Sequence, residues 1–243
     1  MIGADGRNSG VAKRVGATAY AERPTLACWY FSYWSGVRNE GLELYRRENR
    51  MIFGHPTNDD LFAVFVGWPI AELPSVRRDV EAQMMAVIDT VPELADRVRA
   101  GQRAERIYGA SQLPNFLRKP YGPGWALVGD AGCHKDPVRA LGICDALRDA
   151  ELLAAALTES LSGASSEDDA FSGYEGRRNA ATLDEYEANI RAALFTPLAP
   201  QILEARAAAR DDPHAMAQFC LAWEGRIPQR TPAAGLYEPR SSG

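Results

Sequence analysis

The sequence predicts a mixed α+β and α/β fold, in which a strand–loop–helix unit is interleaved with an antiparallel β-sheet and followed by helices. Short aromatic, β-prone runs separated by turn residues predict the sheet. An apolar run that passes through a glycine-rich loop into a long amphipathic stretch predicts the strand–loop–helix unit. Apolar residues at helical spacing fill the last third and predict the helices.

Taken in order, the chain opens on "MIGADGRNSGVAKRVGA", a minimal strand followed by a Gly-Asp-Gly turn. "LACWYFSYW", "LELYRRE", "RMIFGHP" and "LFAVFVGWP" follow, divided by "RNEG" and "PTNDD", and predict an antiparallel sheet of about four strands. Trp29, Phe31 and Tyr33 alternate with Cys28, Tyr30, Ser32 and Trp34 on the two faces of the first strand. One aromatic face suits either a substrate pocket or sheet core. In "SVRRDVEAQMMAVIDTV", Val76, Val80, Met84, Val87 and Val91 recur at helical spacing. "QRAERIYGA" reads as a further strand before a proline-rich crossing, "LPNFLRKPYGPG".

"WALVG" then reads as a short buried strand, and Leu141 to Leu157 as a helix carrying Ile143, Ala146, Leu147, Ala150, Leu153 and Leu157 on its apolar stripe. "SSEDDAF" supplies a serine cap with acids in the first turn of the next helix. There, Leu183, Tyr186, Ile190 and Ala193 are expected to face a core, while Arg177, Arg178 and the "RDAELL" charges Arg148, Asp149 and Glu151 read as solvated surface. Pro197 and Pro200 break the run, "ILEARAAARDDPHAMAQFCLAW" reads as a helical pair, and "GRIPQRTPAAGLYEPRSSG" as an irregular tail.

Composition narrows the function. With 46% hydrophobic residues in 243, the chain has material for a sizeable core. A net charge of -5 with arginines dispersed among acids argues against a nucleic-acid surface. No apolar run reaches the ~20 residues of a membrane helix, and no secretory leader is legible, so a cytoplasmic location is expected. Cys28, Cys133, Cys144 and Cys220 are too dispersed for a zinc or disulfide framework and read as reduced, mostly buried thiols. His55, His134 and His214 lie far apart and form no metal motif.

The chemistry concentrates in "GWALVGDAGCHKDPVRALGICDALRDAELL", residues 124–153. The first N–H groups of a helix lack internal partners and sit at the positive end of its dipole, which favours electron-rich ligand groups. Gly129 and Gly142 permit close approach, Pro137 stiffens the loop, and Asp130 at the strand's end can accept hydrogen bonds from sugar-like hydroxyls.

This stretch, continued through "AAAL", resembles the second FAD-binding motif of flavin-dependent aromatic hydroxylases of the para-hydroxybenzoate hydroxylase type, the class A flavoprotein hydroxylases. "IGADGRNSGVAKRVGA" resembles the same family's central Asp-Gly motif. The two stand in family order around the β-rich insert, and the resemblance covers most of the chain, weakening after about Leu194. It implies a glutathione-reductase-like Rossmann variant of residues 1–21 and 114–162, a substrate domain of residues 22–113, and a helical region of residues 163–243. It further implies that Gly129 and Asp130 serve the ribityl end of FAD, that Pro137, Gly142 and Ile143 lie against the isoalloxazine ring, and that Asp5 and Gly6 sit near the pyrophosphate, with Arg7 and Ser9 completing that motif. His134, within the flavin motif, suits either an approach to the cofactor or a plain backbone contact.

The implied activity is reduction of FAD by NAD(P)H and delivery of one atom of O2 to a small organic substrate, aromatic ones included. The family's N-terminal GxGxxG unit has no counterpart in this sequence. The resemblance therefore implies an N-terminally truncated copy or a mis-set start, an incomplete FAD-binding domain, weak FAD binding and no hydroxylase activity in isolation. The "WALVG" strand is then expected to lack neighbours supplied by the absent unit. A non-enzymatic remnant or split-protein half that needs a complementing chain is the first alternative, and a flavin-dependent reductase, halogenase or dehydrogenase on the same scaffold the second. Arg139 stands where many relatives keep a small residue, which puts the fit near the ring in question.

Overall fold

The computed structural model describes residues 1–223, which fall into two units divided after Thr196. In the first unit, strand β1 (Ile2–Gly3) turns through Gly6, at φ +77°, into helix α1 (Gly10–Arg14), and β2 (Ala19–Arg23) follows. The antiparallel block comprises β3 (Ala27–Ser35), β4 (Glu43–Arg47), β5 (Arg50–Pro56) and β6 (Leu61–Pro69). Helices α2 (Leu73–Val76), α3 (Val80–Ile88) and α4 (Pro92–Ala100) cross back to the short strands β7 (Gln102–Arg103) and β8 (Tyr108–Ala110). The crossing that reads as proline-rich loop in fact holds β9 (Asn115–Arg118) and β10 (Tyr121–Gly122). Strands β11 (Trp125–Leu127) and β12 (Cys133–His134), then helices α5 (Gly142–Leu161) and α6 (Glu167–Ala193), complete the unit.

The fold is the expected α+β arrangement. The six-stranded sheet runs β4-β5-β6-β3-β7, with β8 also on β3. Strands β3 and β6 pair along their whole length, from Ala27 opposite Pro69 to Ser35 opposite Leu61. Period-two alternation puts Tyr30, Trp34, Val64, Val66 and Trp68 on one face, where Met84, Ile88, Leu94 and Val98 of α3 and α4 cover them. Helix α4, passed over in the sequence, starts with Pro92 at its first turn and buries Leu94, Ala95 and Val98. Trp29, Phe31, Phe53 and Phe65 lie on the opposite face, with the Phe31 and Phe65 rings stacked at 4.6 Å.

Strand β11 pairs parallel with β1 and antiparallel with β10, so both of its neighbours come from this chain, contrary to expectation. The edges of this three-stranded sheet are β1 and β10. A third sheet joins β12, β9 and β2. These strands are two to five residues long, and α6 donates to one carbonyl each of β9, β2 and, in the neighbouring sheet, β11. Tyr174 donates to the Leu127 carbonyl (2.8 Å), Arg178 to the Arg118 carbonyl (3.1 Å from two nitrogens), and Tyr186 to the Ala21 carbonyl (2.6 Å).

Several residues read as surface are therefore interior. Arg178 is fully buried and Asp149 is 1% exposed, whereas Arg177 is exposed as expected and Leu183 is exposed rather than in the core. Arg148 binds Asp149 (2.7 Å) and Thr182 (2.9 Å), which ties α5 to α6. Cys28 and Cys133 are buried, and burial pushes both thiols up to about 11, but Cys144 and Cys220 are exposed, against expectation.

The second unit contains α7 (Pro200–Ala208) and α8 (Pro213–Trp223), the expected helical pair after the proline break; the irregular tail lies outside the described residues. No helix among the described residues is long and apolar enough to cross a membrane, and no His, Cys, Asp and Glu cluster among them could hold a metal.

Replacing Arg178 with methionine removes both donors to the part-buried Arg118 carbonyl and leaves the Tyr20 and Asn179 oxygens only their bond to each other. Urea unfolding should show Arg178→Met to be less stable by about 2–4 kcal/mol, with Arg177→Met within about 0.5 kcal/mol of the parent. Equal effects at the two positions would contradict the bracing role of α6.

Candidate functional site

A cavity of about 910 Å³ lies between the loop after β11, the start of α5 and the aromatic face of the large sheet. Its wall is built by a chain that changes direction repeatedly. Val128 is extended, then Gly129 at φ +60° turns the backbone into a 3-10 turn, Gly129–Ala131, that presents Asp130. A side chain at Gly129 would bring its Cβ to 3.2 Å from the Ala146 Cβ, so glycine answers both the left-handed conformation and the close approach to α5.

The loop beyond is held from behind. His134 is buried with its Nδ1 against the Pro114 carbonyl, and burial keeps its pKa below the ordinary value. This is the backbone contact foreseen for it, although the residue also borders the cavity. Lys135 pairs with Asp145 (2.8 Å) and Arg139 with Glu185 (3.0 Å). Arg139 thus turns to α6 and takes no part in the cavity wall, which removes the doubt it raised about fit.

Asp136 is the loop's anchor. Its Oδ1 accepts from Trp29 Nε1 and from the Val138 amide, each at 3.0 Å. Its own amide donates to Asn115 Oδ1 (2.7 Å), and its carbonyl accepts from Asn189 Nδ2 (3.0 Å). Burial pushes its carboxyl up to about 6 despite those two donors.

Pro137 opens a second 3-10 turn, Ala140 follows at φ +54°, and α5 begins. Leu141, at the N-cap, gives the first amides of α5 no side-chain partner. Those N–H groups have none within the helix either, and Gly142 and Ile143 border the cavity. A Cβ on Gly142 would meet nothing within 4 Å.

Six of the seven residues singled out in the sequence, Gly6, Gly129, Asp130, Pro137, Gly142 and Ile143, border this one cavity. Asp5 does not. Its carboxylate accepts from Ser9 Oγ (2.5 Å) and from the Gly10 (2.7 Å) and Val11 (3.2 Å) amides, an N-terminal brace for α1. Arg7 joins the wall. The sequence reading missed Phe53, His55, Phe65 and Asp136. Alternation along β5 and β6 carries the signal for the first three, but only the strand register sets them beside Trp29 and Phe31.

The raised pKa of Asp136 has a stability consequence. The carboxyl titrates near 3.8 when unfolded and at about 6 when folded, so ionising it weakens the fold. The penalty is absent below about pH 4, grows as pH rises to about 6, and is constant above, at roughly 2–3 kcal/mol. Denaturation at pH 4 and pH 7 should show Asp136→Asn to have lost that fall relative to the parent; an unchanged fall would contradict the assignment.

No protein-family model and no curated protein matches the chain. Solved structures do. PqsL, a probable FAD-dependent monooxygenase from Pseudomonas aeruginosa, is 22% identical with a TM-score of 0.64, over 90% of this chain and 58% of that one. The myxobacterial chondrochloren halogenase CndH is 18% identical with a TM-score of 0.71, over 94% of this chain and 62% of that one. The flavin-dependent halogenase CmlS is 15% identical with a TM-score of 0.69, over 97% of this chain and 47% of that one. The chain thus spans roughly half to three fifths of these proteins, and it shares their fold.

Proposed function

We propose that this chain forms the ring-facing and substrate-facing part of an FAD- and NAD(P)H-dependent monooxygenase of the class A hydroxylase type, acting on a small organic substrate in the cytoplasm. The observation that carries the reading is the uncapped start of α5, with Gly142 bare, opening onto a cavity whose other wall is aromatic. Bound FAD, reduced by NAD(P)H, would supply the redox chemistry and the transfer of one oxygen atom from O2.

The residues present fit that group. In this reading Asp130, on the cavity wall, would accept from the ribityl hydroxyls, and the α5 amides would stabilise negative charge on the reduced ring. Pro137 and Ala140 shape the wall beside them, while Gly6 and Arg7 extend it toward the pyrophosphate end. Asp5 acts in this reading as a positioning residue, by bracing α1. The aromatic wall excludes water from the substrate end. The adenosine and pyrophosphate half calls for a glycine-rich unit that these residues do not contain, whether from the same polypeptide or a complementing one.

Halogenation is the second reading, favoured by the TM-score of 0.71 with CndH against 0.64 with PqsL. Incorporation of bromide in place of oxygen into a product would select it. A remnant without flavin binding is the third.

Titration of the chain with riboflavin and with FAD, followed by flavin fluorescence, tests the reading. Both should bind, with FAD little tighter than riboflavin, because the ring and ribityl contacts lie here. Asp130→Ala should weaken riboflavin roughly tenfold, the worth of one or two hydrogen bonds. Gly142→Phe, which puts a ring at the cavity edge where a Cβ meets nothing within 4 Å, should weaken riboflavin at least tenfold and leave the melting temperature unchanged within about 2 °C. Failure of both flavins to bind at millimolar concentration selects the remnant.

A further inference from the structure

One long sheet edge in the first unit is unguarded. Folded proteins blunt free strand edges by short length, bulges, prolines, outward charges or a covering element. Among the described residues, β1, β7, β10 and β12 are two residues long and β8 is three. Strand β2 has five, but its register shifts between Tyr20 and Arg23, and α6 caps it at the Ala21 carbonyl. Strand β4, Glu43–Arg47, also has five and stands at the edge of the six-stranded sheet, with no proline and no bulge. Its register with β5 runs unbroken from Glu43 opposite Gly54 to Arg47 opposite Arg50.

The turn between these strands has two residues, Glu48 and Asn49, so it closes on a hydrogen-bonded pair, Arg47 and Arg50. Alternation then commits the backbone groups of Glu43, Tyr45 and Arg47 to β5 and turns those of Leu42, Leu44 and Arg46 outward. No backbone bond from another segment meets them among the described residues. The charges that could repel an incoming strand are drawn elsewhere. Arg46 donates to the Thr196 carbonyl (2.5 Å), and Arg47 to the carbonyls of Thr90 (3.3 Å) and Arg46 (3.1 Å), the last of which keeps a second lone pair. The edge presents instead Leu42, 75% exposed, and Leu44, 41% exposed.

Two copies of this edge fit one another. In an antiparallel pair centred on Leu44, the two Leu44 residues exchange N–H···O=C bonds, and Leu42 exchanges them with Arg46 on either side. On one face Leu44 meets Leu44, and Leu42 lies along the alkyl stem of Arg46. On the other face Arg47 lies diagonal to Glu43 of the second copy. The strand carries its acid at one end and its arginines at the other, so antiparallel pairing sets unlike charges together.

We propose that this chain forms a two-fold dimer by antiparallel pairing of β4 with β4 of a second copy, which joins the two six-stranded sheets into one. Such a contact uses the same patch on both copies and closes at two. Leu42 also borders the cavity, so the second copy's strand lies at the cavity mouth. The pairing is the same whether or not the cavity takes a flavin.

Sedimentation velocity of the 243-residue chain over a range of roughly 1–500 μM tests it. A reversible monomer–dimer equilibrium with a Kd on the order of 10–100 μM is expected, because two five-residue edges bury less than the ~1,200 Å² of a standard interface. Leu44→Pro removes an N–H that the β4–β5 ladder does not use and should weaken the dimer more than tenfold. Leu44→Lys sets two ammonium groups together at the two-fold axis and should do the same. Leu147→Lys, on the other exposed apolar stretch of the unit, should leave the equilibrium unchanged. Far-ultraviolet circular dichroism shows whether each variant keeps its fold, and Leu44→Lys decides if Leu44→Pro does not. A monomer throughout the range, assembly past the dimer, a dimer that a folded Leu44 variant leaves intact, or one that Leu147→Lys dissolves overturns the proposal.

Discussion

The structure depends on how its shortest strands have their backbone groups satisfied. Strands β1, β10, β11 and β12 span two or three residues each, too few to bury a layer by their own ladders. An interior carbonyl without a donor is unfavourable by about 1–3 kcal/mol, so these segments persist only where something else donates. Helix α6 does so. Along its 27 residues Tyr174, Arg178, Tyr186 and Asn189 turn inward and cap carbonyls of β11, β9, β2 and the loop at Asp136. The same helix takes Arg148 on Thr182 and Arg139 on Glu185, so α5 and the loop before it are held on the side away from the cavity. The loop's rigidity is thus imposed from one side, and its other side stays open to a ligand.

The large sheet uses its alternation to a similar end. One face is dry and closed by α3 and α4, and the other is aromatic and faces the cavity. Two glycines make the aromatic packing possible: a Cβ at Gly67 would lie 2.8 Å from the Trp29 ring, and one at Gly109 would lie 2.3 Å from the Tyr30 ring. Each large ring therefore lies over a bare backbone, one on each face of β3. Trp29 then joins sheet to loop through its bond to Asp136, which ties the two walls of the cavity together.

Where apolar periodicity decides an element, the sequence was legible. The strands β3 to β6, the passage from β11 into α5, and the cap of α6 at Ser166 all follow from spacing and capping chemistry. The polar interior was not legible, because Arg178, Thr182 and Asp149 carry helical spacing that reads equally well as a solvated face; only the carbonyls opposite them distinguish the two. Strands β9 and β10 were hidden by Pro114, Pro120 and Pro123, which flank them without interrupting them. On α5, Ile143 and Leu147 share the apolar stripe with Leu153, but they are 78% and 68% exposed and belong to the cavity side, while Leu153 is core. A hydrophobic stripe marks burial against something, and the something here differs along one helix.

Several unmet polar groups gather on and behind the loop before α5. The leading amides of α5 have no cap at the cavity, and Lys135 Nζ, Asp136 Oδ2, Glu185 Oε1 and Asn189 Oδ1 are buried without hydrogen bonds. Between them Ala140 holds a left-handed backbone that a residue with a Cβ adopts at a cost of about 1–3 kcal/mol. Each feature opposes stability alone, and together they fall along a single loop of ten residues or so, braced by α6 from behind. A fold under selection only for stability would cap the helix, put a glycine at position 140 and pair or replace the buried carboxylate. Keeping these along one loop, with the uncapped amides at the cavity, fits a surface shaped for a ligand that brings acceptors to the start of α5.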